Sequence, residues 1–171
     1  ALADWQDVLW LTRPDEWSPH AVFAATRMFA SNLDAQRAQL FYKDVLYERV
    51  RDDIAQNGRL NYHLYAALKK ALFKPQPWIK AILLPLARAN CTLREAVIVG
   101  SVVAKVSIPP QHGAVALLKL AQMPYTGASS IFVRVLLTKK YSLPLRVVAA
   151  LADHFASFAS ETRALPVLWH Q

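Results

Sequence analysis

The side chains that do chemistry are scattered in this sequence. Its five histidines, His20, His63, His112, His154 and His170, stand far apart at no metal-ligand spacing. With Cys91 as the sole cysteine they make no zinc site. The neighbouring carboxylates Asp52 and Asp53 point about 100° apart on a helix, so they read as a solvated face and not as a shared acid/base pair. There is no phosphate-cradling glycine loop, no G-x-S-x-G and no H-E-x-x-H. Nothing here supports catalysis, and the chain calls for no cofactor and no metal.

Basic residues carry more information. Lys69, Lys70, Lys74 and Lys80 surround one turn between helices, and Lys139, Lys140 and Arg146 surround another. Both groups suit contacts to phosphates, although lysines in a last helical turn also complement the helix dipole. Lys105, Lys119 and Arg134 interrupt otherwise apolar helices and must reach solvent. Five aromatics, Tyr42, Tyr62, Tyr65, Phe73 and Trp78, lie near the first lysine group; their helical spacing places most of them in the core. Asp44, Glu48, Asp52 and Asp53 form an acidic helix face suited to a basic protein partner.

The elements that position these residues are helical. The stretch Thr92–Ser107, TLREAVIVGSVVAKVS, opens on a capping box of Thr92 and Glu95 and is apolar almost all round. Its one watery seam is Arg94, Ile98, Ser101 and Lys105, and Pro109-Pro110 stop it. The segment before Glu16 reads as a short apolar anchor bearing Trp5, Val8, Leu9, Trp10 and Leu11. Ser18-Pro19 opens a helix to about Ala30. Asp34 opens another to Gln56, with Tyr42, Leu46, Val50 and Ile54 inward and Asn57-Gly58 as its stop. Asn61 opens a helix to Phe73, with Leu64, Leu68 and Leu72 inward and His63, Ala67, Lys70 and Lys74 outward. Trp78 begins the next, to about Ala89, and Pro85 predicts a kink or an early end.

Further helices are expected from Pro110 to Gln122, from about Ala128 to Lys139, and from Leu143-Pro144 onward. In the last of these, Val148, Leu151, Phe155 and Phe158 line one side. Residues 159–167 read as a loop, with Pro166 starting a further element. From Asn61 the helix starts are spaced by 15 to 18 residues with short connections, the rhythm of stacked antiparallel helix pairs.

Composition agrees. The chain has 171 residues, 54% of them hydrophobic, with only four glycines. One helical domain with a large core is expected. Apolar runs are broken by Lys or Pro well short of the roughly 18–20 residues that a membrane span needs. The acidic N-terminal stretch has no signal-peptide n-region, and a lone cysteine fits a reducing compartment. Net charge is +8, unevenly placed. Residues 1–54 carry six Lys and Arg against nine Asp and Glu, and residues 55–171 carry fourteen against three. That asymmetry points to a polyanion or an acidic partner for the second part.

The runs YERVRDDI (47–54), RLNYHLYAALKKALFKP (59–75), CTLREAVIVGSVVAKVSIP (91–109), YSLPLRVV (141–148) and LPVLWHQ (165–171) resemble the bystin family of small ribosomal subunit assembly factors. The resemblance covers essentially the whole chain. It implies an all-α, HEAT-like solenoid without enzymatic activity, here as the trimmed core of a longer protein. It implies a nucleolar and nuclear location, with passage to the cytoplasm on pre-40S particles. Its implied partners are pre-18S rRNA, ribosomal proteins of the small-subunit head, and a helical segment of another assembly factor. No membrane is involved, and outside the particle the protein is expected to be a monomer. The family's lysine-rich run maps onto Lys69, Lys70 and Lys74. The connection Ala87–Asn90 is shorter and less acidic than the family pattern. A protein-only adaptor, whose groove takes a partner's amphipathic helix, is the competing reading.

Overall fold

The computed structural model describes residues 5–165 and 167, and among them it is all helix and turn, with no strand. Two compact units divide the chain at residues 1–81 and 82–171.

The first unit begins with a short helix, α1 (Trp5–Leu11), of which Leu9 is buried. Trp5 meets Phe29 at a ring-centroid distance of 6.2 Å. Val8, Trp10 and Leu11 are exposed, so the expected anchor holds through two residues and not five. In α2 (Pro19–Asn32), Ser18 accepts from the Ala21 N–H and proline takes the first turn, as expected. Val22, Thr26 and Ala30 form its fully buried stripe. The Thr26 hydroxyl satisfies itself on the Val22 carbonyl at 2.7 Å.

Asp34 caps α3 (Ala35–Phe41), which runs through a π-helical stretch, Tyr42–Tyr47, into α4 (Glu48–Asn57). Tyr42, Leu46, Val50 and Ile54 are all buried, as the spacing predicts. Burial raises the pKa of the Tyr42 phenol. Gly58 stops the helix in the left-handed conformation, φ 64°, which suits a residue without a Cβ.

Next comes α5 (Tyr62–Ala71), capped by Asn61, and α2 packs on it more extensively than any other element. Leu64, Leu68 and Leu72 are inward as expected, but Ala67 is fully buried as well. The outward seam is therefore not His63, Ala67, Lys70 and Lys74. It is Tyr62, Ala66, Lys69 and Phe73, one residue earlier at the same spacings of four, three and four. The physical reason is that the face carrying His63, one turn before Ala67, is the one turned toward α2. His63 lies in that contact, its ring edge-on to His20 at 5.1 Å. The helix after the turn starts at Pro75, three residues before the expected Trp78: α6 (Pro75–Trp78), a π-helical stretch Ile79–Leu83, and α7 (Leu84–Arg88). Pro85 lacks an N–H and crowds the carbonyl four residues back, and the helix widens just ahead of it without ending.

In the second unit, α8 (Leu93–Lys105) has the expected capping box. The Thr92 amide donates to Glu95 Oε2 at 2.8 Å, and the Glu95 amide donates to Thr92 Oγ1 at 3.2 Å. The helix is less enclosed than its composition suggests, for Leu93 and Val97 are exposed beside Arg94 and Lys105. It is followed by α9 (Pro110–Ala121), α10 (Gly127–Thr138), α11 (Leu145–Ala156) and a 3-10 turn, Ser157–Ser160. Thr126 and Ser129 form a second capping box, and α10 starts one residue before the expected Ala128. The most extensive contacts skip one helix along the chain, α8 on α10 and α9 on α11; α9 also packs on its neighbour α10 and on α7. In α11 only Val147 and Leu151 are buried, whereas Val148 and Phe155 are exposed. The expected element at Pro166 and most of the LPVLWHQ run lie outside the described residues. Among the described residues no helix is long and apolar enough to cross a membrane.

The capping box predicts a measurable stability contribution. Thr92→Ala removes the side-chain acceptor and should cost about 0.5–2 kcal/mol in urea unfolding. Thr92→Ser, which keeps the hydroxyl, should stay near wild type; equal losses in both variants would contradict the capping role.

Candidate nucleic-acid interface

The first basic group is built by one corner of the first unit. Lys69 and Lys70 close α5, Lys74 stands immediately before α6, and Lys80 lies one turn further on. Trp78, fully buried, fixes that corner: its indole N–H donates to the Leu68 carbonyl in the last turn of α5 at 3.2 Å. Lys69 and Lys80 are exposed, and Lys70 and Lys74 are half-buried. From Ile54 to Arg94 there is no Asp or Glu, so no sequence neighbour neutralises these lysines. Of the nearby aromatics, Tyr42 and Trp78 are core as expected. Phe73, however, is 68% exposed and Tyr62 is 78% exposed. The Lys70 ammonium stands 5.6 Å from the centroid of the Phe73 ring.

The second group is built differently. Lys139 is half-buried and donates to the Val106 carbonyl at 2.7 Å. Burial lowers its pKa. Tyr141 donates its hydroxyl to the Ile108 carbonyl, and its ring lies so close to Gly113 that a Cβ there would come within 2.8 Å of it. Segment 139–141 thus clamps the turn between α8 and α9. Lys140 is exposed in the left-handed conformation at φ 55°, and Arg146 is exposed in the first turn of α11. Lys105, Lys119 and Arg134 are exposed as expected.

Asp44, Glu48, Asp52 and Asp53 do come together. They line one hollow of about 440 Å³, with Asp15, Arg49 and Trp10 also on its wall. Arg49 donates to the Pro14 carbonyl at 3.1 Å, tying the N-terminal segment to α4. Asp53 is partly committed, accepting from the Asn61 amide at 2.6 Å and from Asn57 at 3.0 Å. Among the described residues no group of His, Cys, Asp or Glu has the arrangement of a metal site, and Cys91 is buried.

A larger apolar cleft of about 820 Å³ opens in the second unit between α8, α10 and the end of α11. Val97, Ser101, Ile131, Arg134, Tyr125, His154, Phe155 and Phe158 are among its lining residues. Burial pulls the His154 pKa below its ordinary 6.5, against a smaller upward pull from a hydrogen bond with the Ala121 backbone. Its ring packs edge-on against Phe155 and Phe158.

Two outcomes follow for the second unit. Lys139→Ala should cost about 0.5–1.5 kcal/mol through its lost bond, whereas Lys140→Gly, which suits the left-handed backbone, should not destabilise. Urea unfolding of the two variants distinguishes the clamp from the free cation. For His154, a folded-state pKa below the unfolded value means that the unfolded chain binds the proton more readily. Its stability contribution is whole above pH 6.5 and is lost as pH falls through 6.5 toward the depressed folded value. The wild-type Tm should therefore drop more steeply than that of His154→Leu across this range; parallel Tm curves would contradict it.

Comparison with known proteins places this geometry in a family. The Bystin family model matches residues 1–171. Bystin of Rattus norvegicus is 59% identical over 172 residues, covering 100% of this chain and 39% of the relative. Bystin of Homo sapiens is 58% identical, with 100% and 39% covered, and Bystin of Arabidopsis thaliana is 51% identical, again with 100% and 39% covered. The chain thus spans about two fifths of the length of these relatives. Matched along all of its own length at more than half identity, the chain belongs to the Bystin family.

Proposed function

We propose that the chain acts as a non-enzymatic scaffold in small ribosomal subunit assembly, holding pre-18S rRNA at the immature head and beak of the pre-40S particle. The observation that carries this reading is the lysine corner of Lys69, Lys70, Lys74 and Lys80, set in a stretch of sequence without carboxylates. The mechanism is steric and electrostatic: ammonium groups on helix ends neutralise rRNA phosphates and keep that region from its final fold until release. Lys139, Lys140 and Arg146 add a second, weaker contact, because Lys139 is already engaged with the Val106 carbonyl.

The packing of helices two apart in residues 82–171 supports a HEAT-like arrangement of stacked pairs, which suits a scaffold. The hollow of Asp44, Glu48, Asp52 and Asp53 takes a basic segment of a ribosomal protein of the small-subunit head. The corresponding location is the nucleolus and nucleus, with passage to the cytoplasm on the particle, and the chain is a monomer outside it.

A second reading is favoured by the apolar cleft. There the protein is an adaptor that binds the amphipathic helix of another assembly factor along α8 and α10, and RNA proximity is incidental.

One titration separates the two. Filter binding of an rRNA head fragment across salt concentrations should weaken with a log–log slope of about −0.7 per phosphate neutralised, and the slope should shrink when Lys69, Lys70, Lys74 and Lys80 are changed to Gln. A salt-independent isotherm, or a slope untouched by the four substitutions, sinks the RNA reading and leaves the adaptor.

A further inference from the structure

We infer that Phe73 is a base-stacking residue, so that the lysine corner takes RNA with at least one unpaired nucleotide and not a continuous duplex. This rests on the RNA reading above and adds the class of RNA to it.

Phe73 lies in the turn between α5 and α6, 68% exposed, among Lys69, Lys70, Lys74 and Lys80 in the sequence. A single exposed phenylalanine is unremarkable on a protein surface. This one belongs to the outward seam Tyr62, Ala66, Lys69 and Phe73, at the end of it where the charges are. Lys70 stands over its ring at 5.6 Å, and the ring remains largely open to solvent all the same. The opposite end of the seam is unlike it: Tyr62 follows Asn61, whose amide is held by the Asp53 carboxylate, and a phosphate is repelled there. Only the Phe73 end pairs an open aromatic face with uncompensated ammonium groups in its sequence vicinity.

That pairing is the physical form of a single-strand site. Lysines follow the phosphates while a base leaves its neighbours to lie on the ring. In an A-form duplex the bases are stacked on one another and an aromatic side chain has no face to reach. A purely electrostatic corner does not distinguish the two RNAs through this ring, and a stacking corner does.

The test uses the 171-residue chain with two probes: an unstructured RNA of about 12 nucleotides and a duplex of the same length. Phe73→Ala should weaken single-strand binding about five-fold or more and leave duplex binding unchanged, and Phe73→Trp should restore it. Circular dichroism verifies that the variants remain folded. Unchanged single-strand affinity in Phe73→Ala, or equal losses on both probes, overturns the stacking role while the lysine reading stands. Failure of the wild-type chain to bind either probe overturns the RNA reading itself, so the two failures are distinguishable.

Discussion

The contact on which the first unit depends is the close approach of α2 to α5. Val22, Thr26 and Ala30 of α2 and Ala67 and Leu68 of α5 are fully buried, and the His63 ring meets His20 of α2 edge-on at 5.1 Å. The face of α5 that carries His63 and Ala67 is turned inward toward α2, and this fixes the rotation of α5 about its own axis. That rotation sets which side chains of α5 reach solvent. As it stands, Lys69 and Phe73 face water. The Trp78 indole bond to Leu68 then holds the following turn against that same helix end, so the lysine corner inherits its geometry from two buried side chains that carry no charge.

The second unit relies on a different constraint. Helices of only 12 or 13 residues are marginal alone in water, and each must bury an apolar face against a neighbour. The α8–α10 and α9–α11 contacts do so by skipping one helix, and the intervening turns have to be held from outside. Lys139 and Tyr141 do this for the α8–α9 turn by donating to Val106 and Ile108. Among the described residues, open apolar surface survives beside α8 and α10, and Val97, Phe155 and Phe158 line it.

Much of this was legible before any coordinates. Caps at Ser18, Asp34, Asn61 and Thr92 lie where residue type and spacing place them, because N-capping is a local matter settled within four residues. The inward leucines of α5 were equally readable. What was missed depends on neighbours distant in sequence. Ala67 is neutral in composition, and its full burial depends on which face of α5 is turned inward. Phe73 and Tyr62 have core-like types and are exposed, each touched by the side chain of a near neighbour in sequence, Lys70 and His63. The π-helical stretch at Tyr42–Tyr47 did leave a trace. Inward residues there recur every four positions, which an ideal helix of about 3.6 residues per turn cannot keep on one line for long. A locally widened turn can. Of the candidate site, the four carboxylates were read as one helix face and do share one hollow. Both lysine groups were read as phosphate contacts, and structurally the two differ.

That difference matters for the chemistry. Counterion release, which drives phosphate binding, frees the small cations condensed on the nucleic acid when a protein ammonium takes their place, and it needs an ammonium free to reach the phosphate. Lys69 and Lys80 meet the requirement as exposed ammonium groups. Lys139 does not meet it to the same degree, since burial already disfavours its charged form and one of its donors is spent on the Val106 carbonyl. Drawing Lys139 onto a phosphate would loosen the clamp on the α8–α9 turn, so any gain there is offset by a loss inside the fold. Two clusters of similar formal charge therefore do not contribute equally. On the proposed RNA reading, the group with Lys69 and Lys80 exposed and an open aromatic ring beside Lys70 is the stronger phosphate site.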